Sequence, residues 1–141
     1  MPFPLEYKFI RATEDQLGFK FPEKYKAKMQ IDNGGEINID IFDSEHESDD
    51  DIEAWWLFPF QDTSDIKKIK RTMNHLSTEH QSIREIDGFP KNSVAIAHNG
   101  AGDYLLLQAE DGVNLAEEIY IWRHDEDETI NYIAASIEDL M

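Results

Sequence analysis

An α+β fold with a twisted, largely antiparallel sheet is expected from three features of this 141-residue chain. Strand-like apolar runs come in consecutive groups and not in β-α-β alternation. A glycine turn, Asn99-Gly100-Ala101-Gly102, leads straight into Asp103-Tyr104-Leu105-Leu106-Leu107, with apolar runs at 94–98 and 118–124 on either side. Glycine relieves the steric penalty of positive φ in such a turn, and a run apolar on both faces belongs in a covered, central strand. Segments with helical spacing precede, separate and follow the strand groups, which places helices against the sheet.

From the start of the chain, Thr13-Glu14-Asp15-Gln16 has the form of a capping box, opening a short helix that ends near Leu17-Gly18. Phe21-Pro22-Glu23 starts a second helix, with proline in the first helical position. Tyr25 and Met29 form its buried side, with Ile31 as a further candidate, and Asn33-Gly34-Gly35 stops it through a left-handed cap. Residues 36–42 alternate, so Ile37, Ile39 and Ile41 share the buried face of a strand. A dense acidic loop follows at 43–53. The returning strand is Trp55-Trp56-Leu57-Phe58, ended or bent by Pro59. Its two tryptophans are adjacent, so one faces the core and the other the surface.

A long helix is expected from about Ser64, with Ile66, Ile69, Met73 and Leu76 as its apolar stripe and Lys67, Lys68, Lys70 and Arg71 on the other side. Residues 77–85 either continue that helix or form a loop. Gly88-Phe89-Pro90 turns the chain into the central strands. A closing helix from about Glu128 places Ile130, Ile133, Ala134, Ile137 and Leu140 on one face. No repeat or linker interrupts the chain, so residues 1–141 are expected to form one domain.

Composition narrows the function. Thirty acidic against thirteen basic side chains leave a formal net charge of −17. Such a chain repels nucleic acid and anionic membranes, whose binding relies on cations, and attracts basic proteins. The absence of cysteine excludes disulfides, thiol catalysis and thiolate metal sites. No apolar run approaches the roughly 20 residues of a membrane helix. Residues 1–6 lack a signal peptide's basic and apolar regions, so a cytoplasmic location is expected.

No catalytic constellation, cofactor motif or metal motif stands out. Gly100 and Gly102 lack the third glycine of a dinucleotide loop, since Leu105 stands there, and no helix start follows. Counted from Asp43, the acidic loop has Ser48 and Ala54 where a calcium loop needs glycine and glutamate. His98, on the strand face of Val94 and Ile96, is expected as a core or rim residue. Its alternative role is in a metal-dependent enzyme with Asp103, His124 and Asp125. Asp103 is expected to bond backbone N–H groups of its own turn, and Trp122 to fill core.

In order along the chain, four motifs resemble those of the SUKH superfamily, which includes cell-wall assembly regulators and many bacterial immunity proteins. Leu17-Gly18-Phe19-Lys20-Phe21-Pro22-Glu23-Lys24-Tyr25 is similar to the family's opening. Ile31-Asp32-Asn33-Gly34-Gly35 is similar to its Asn-Gly-Gly helix stop, and 97–105 to its glycine-aspartate approach to a strand. Ile121-Trp122-Arg123-His124-Asp125-Glu126 is similar to its Trp-x-His-Asp segment. The resemblance implies structural roles for Asn33, Gly34, Gly35, Gly100, Gly102, Asp103 and Trp122. It also implies a protein partner in place of catalysis.

The resulting expectation is a monomeric or weakly dimeric immunity protein that binds a basic toxin domain, such as a nuclease. Asp43, Glu45, Glu47, Asp49, Asp50, Asp51 and Glu53 would supply charge, and Phe42 with Trp55 or Trp56 apolar anchors. The alternative is a regulatory scaffold with a host partner and no toxin.

Overall fold

A computed structural model describes residues 5–40, 52–86, 88–99, 103–123 and 129–140. The elements run α1 (Tyr7–Leu17), α2 (Glu23–Ile31), β1 (Gly35–Asp40), β2 (Ile52–Leu57), α3 (Ile66–Arg71), α4 (Leu76–Ile83), β3 (Ser93–His98), β4 (Asp103–Gln108), β5 (Ile119–Arg123), β6 (Thr129–Ala134) and a 3-10 helix (Ile137–Leu140). Among the described residues the strands form one antiparallel sheet in the order β1-β2-β3-β4-β5-β6, each beside its sequence neighbour. The fold is α+β, and 94–98, 104–107 and 119–123 do form adjacent strands.

The first helix starts earlier than its capping-box pattern implies. Glu6 occupies the N-cap, and Thr13 is buried in the helix body. The carboxylate of Glu14 instead accepts from Phe21 N–H at 2.8 Å, tying the end of α1 to the start of α2. Gly18 closes α1 in the left-handed conformation, φ +78°, donating to Glu14 O. Pro22 is the N-cap of α2 and not its first helical residue. Tyr25 and Met29 are buried, but Ile31 is 69% exposed and belongs to no core.

The end of α2 is also built differently from a left-handed cap. Asp32 is the C-cap, with extended backbone. The Lys28 ammonium donates to the carbonyls of Asp32 and Gly34, where a cation complements the negative helix end. Burial pushes Lys28 down to about 8, with Asp32 opposing the shift. The positive φ falls at Gly34 and Gly35, where the chain turns into β1. A Cβ on Gly34 would lie 3.3 Å from Leu57 O, so the turn presses against the end of β2.

Two expected helices are corrected. The helix from Ser64 breaks into α3 and α4, because Thr72 Oγ1 donates to Lys68 O and accepts from Asp62 N–H, holding the chain in a turn. Asp65 caps α3 by accepting from Lys68 N–H, and His75 caps α4 by accepting from Thr78 N–H. Ile66, Ile69 and Met73 are therefore exposed, and only Leu76 of the expected stripe enters the core. The closing helix is instead strand β6 followed by a 3-10 helix. Ile130 lies opposite Trp122 and Tyr132 opposite Tyr120, so pairing with β5 sets a period of two over a segment whose isoleucines also fit a helix.

The core is continuous. Its largest fully buried side chains include Trp55, Trp122, Tyr25, Phe60, Ile10, Met29, Leu76, Ile96 and Leu105 to Leu107. Phe21, Tyr25 and Phe60 form an aromatic cluster, with Phe21 and Phe60 edge-to-face at 5.0 Å. Helix α4 packs on β3, where His80 Nδ1 accepts from Ala95 N–H at 3.2 Å. Burial, aided by Arg84, pushes His80 down to about 4. The folded state thus resists the proton that an unfolded His takes up near 6.5. Its full stability is present above that pH and is lost as pH falls toward 4, by about 3 kcal/mol in all. His80→Gln keeps an acceptor without titrating. Its urea midpoint is expected to fall less than the wild-type midpoint between pH 7 and pH 4.5; equal falls would refute this role for His80.

Candidate binding groove

Antiparallel pairing lines up Trp56, His98, Tyr104 and Trp122 across β2, β3, β4 and β5. Directly opposite residues share a sheet face, so these four form one row. An irregularity between Ala95 and Ala97 shifts the phase of β3. Val94 consequently lies opposite Leu107 while His98 lies opposite Tyr104, on the other face. The expected sharing of a face by Val94 and His98 is therefore corrected by a bulge, which re-aims the strand.

The row passes from core to surface. Trp122 is fully buried, edge-to-face with Phe89 at 5.2 Å and stacked with Tyr104 at 6.2 Å. His98 is half-buried between two rings, parallel to Phe58 at 5.1 Å and tilted against Trp56 at 5.7 Å. Trp56, opposite Glu36 of β1, is 43% exposed. The surface and core assignments of Trp56 and Trp55 follow strand alternation, since Trp55 is 0% exposed. Trp55 is thus core, and the expectation of it as a partner anchor is corrected.

Helix α4 walls this row. A groove of about 330 Å³ lies between Phe58, His98 and Tyr104 on the strand side and Glu79, Ser82, Ile83 and Ile86 on the other. Burial pushes His98 down, only partly opposed by Glu79, so its imidazole is neutral at neutral pH. Burial, then Glu79 and Asp103, push Tyr104 up, which keeps its phenol protonated. Glu79 is the groove's charged side chain, and among the described residues no cation pairs with it. Chemically the groove combines three rings, two isoleucines, the Ser82 hydroxyl and the Glu79 carboxylate. Trp56→Ala is expected to lower stability by less than about 1 kcal/mol, as for surface substitutions, and chemical denaturation checks this.

Sequence reading did not find the α4 wall. Its apolar positions Leu76 and Ile83 are diluted by Ser77, Thr78, His80, Gln81 and Ser82, which left 77–85 undecided between helix and loop. The spacing of Leu76, His80 and Ile83 was the available signal, and all three are buried.

The remaining candidates divide sharply. Asn33 is buried and clamps Phe60, donating from Nδ2 to its carbonyl at 2.9 Å and accepting its N–H at 2.8 Å. Asp103 is buried and accepts from Asn99 Nδ2, while its N–H donates to Asn99 Oδ1; its expected bonds to backbone N–H groups of 100–102 lie outside the described residues. Phe42, Asp43, Glu45, Glu47, Asp49, Asp50, Asp51, Gly100, Gly102, His124 and Asp125 lie outside the described residues. Glu53 is placed in β2, opposite Ile39. Among the described residues no group of three or more His, Asp or Glu side chains could hold a metal, and no helix is long and apolar enough to cross a membrane.

A search of curated proteins and a search of solved structures each found no match. A family model, the SMI1 / KNR4 family (SUKH-1), matches residues 4–141. That span takes in the Asn33 clamp, the Gly34 turn, the whole described sheet and the aromatic row, and the chain belongs to the SMI1 / KNR4 family (SUKH-1).

Proposed function

We propose that this chain is a cytoplasmic immunity protein that binds and neutralises a basic toxin domain, with no catalysis of its own. Family membership fits an immunity or a regulatory role. The single observation that carries the binding reading is Trp56, a large aromatic 43% exposed and in ring contact with His98, which lines a groove whose carboxylate, Glu79, has no cation paired with it among the described residues. Exposed tryptophans at the rim of a pocket are favoured anchors of protein interfaces. The net charge of −17 makes a basic partner the complementary one and speeds its approach. A toxin that acts on nucleic acid carries such a basic face, because it must hold phosphates. An acidic, aromatic-edged surface competes for that face. A standard interface needs about 800 Å² from each partner, within reach of a domain this size.

The test is rescue. The toxin-like gene nearest this one in the source genome is expressed with and without this protein, and surviving cells are counted. Specific rescue together with a stable co-purified complex is expected. A neighbouring product that is harmless, or that kills regardless, would overturn the immunity reading.

A further inference from the structure

Resting on that reading, we propose that the groove between α4 and the strand row receives one arginine side chain of the partner. Its guanidinium would lie against the ring of Tyr104 beside His98, with its charge toward Glu79. Three observations converge on this occupant. Three of the seven lining residues carry rings, Phe58, His98 and Tyr104, and Trp56 touches His98 from outside the groove. A planar guanidinium stacks on such faces and is attracted by their π-electrons, whereas an ammonium offers only a point charge. Glu79 supplies an anion inside the groove that no described cation satisfies. The volume, about 330 Å³, suits one long side chain and not a folded segment.

The surrounding charge agrees. Asp103, near Tyr104, adds negative potential to the same end of the sheet. The chain's cationic helix, α3 with Lys67, Lys68, Lys70 and Arg71, contributes no residue to the groove, and Arg71 instead lines a separate pocket with Trp56. An anionic side chain from a partner would meet Glu79 unfavourably. An uncharged apolar one would leave that carboxylate partly desolvated without compensation.

The probe is N-acetylarginine amide, titrated against the intact protein while the Trp56 indole and His98 imidazole resonances are followed by NMR. N-acetylcitrulline amide is the control, being nearly the same shape without the charge. Saturable shifts at Trp56 and His98 are expected with the arginine probe and not with the citrulline probe. Glu79→Gln, a substitution at a carboxylate with no cation paired to it among the described residues, is expected to keep the spectrum of a folded protein and to weaken arginine binding about three- to tenfold. Equal shifts with citrulline, or unchanged affinity in Glu79→Gln, would overturn the assignment. If rescue and complex formation hold while the arginine signal is absent, the arginine assignment fails and the immunity reading stands. If the signal is present and rescue fails, the groove's chemistry stands and the immunity reading fails.

Discussion

Replacing Trp122 by alanine is expected to destabilise the chain by about 3–5 kcal/mol, the range for deleting a large aromatic from a packed core. Trp122 is fully buried and holds rings on two sides, Phe89 edge-on at 5.2 Å and Tyr104 stacked at 6.2 Å. Phe89 in turn touches His80 on α4 at 5.6 Å, so one indole joins the sheet to the helix that walls the groove. Alanine leaves a cavity that two separate elements would have to close. Trp122→Phe fills part of it and should lose less. Urea denaturation at pH 7 measures both; a loss below about 1 kcal/mol for alanine would mean that the row does not anchor the fold.

Asn33→Ala is expected to cost about 2–4 kcal/mol, since each buried polar group left without a partner costs on the order of 1–3 kcal/mol. The amide of Asn33 satisfies both backbone groups of Phe60, which is fully buried. Removing it strands a donor and an acceptor together. Asn33→Asp separates the two contributions. Its carboxylate still accepts from Phe60 N–H but opposes Phe60 O, so this variant should also be destabilised. Part of the difference from wild type should close as low pH protonates the aspartate. Denaturation of the three proteins at two pH values is the check, and equal stability of Asn33→Ala and wild type would refute the clamp.

These two residues were visible in the sequence, but the reason for one of them was not. Asn33-Gly34-Gly35 reads as a helix stop, yet α2 ends at Asp32 in extended geometry. The asparagine is instead used on a chain segment 27 residues away, which no local pattern reveals. The centre of the sheet was legible because 104–107 is apolar on both faces, which fits a covered strand. Strand alternation likewise separated Trp55 from Trp56.

The failures have physical causes. Ile130, Ile133, Ala134 and Ile137 have a spacing compatible with a helix, but their backbone hydrogen bonds go to β5 and then to a 3-10 turn. Tertiary pairing there outweighs periodicity. Ile66, Ile69 and Met73 likewise form a helical stripe, and Thr72 ends that helix before the stripe can be buried. The groove itself was not legible, because the pairing of Trp56 with His98 joins residues 42 apart in the chain and the other wall comes from α4. Among the described residues that were expected to bind, Trp56 reaches the groove through its ring contact with His98.

The most direct measurement is the affinity of the rescue-identified toxin domain for wild type and for Trp56→Ala, with the stability of both proteins measured in parallel. Truncation of an interface anchor costs 2 kcal/mol or more, so a dissociation constant raised by about 30-fold or more is expected while the fold is retained. An unchanged dissociation constant would contradict Trp56 and its groove as the partner surface.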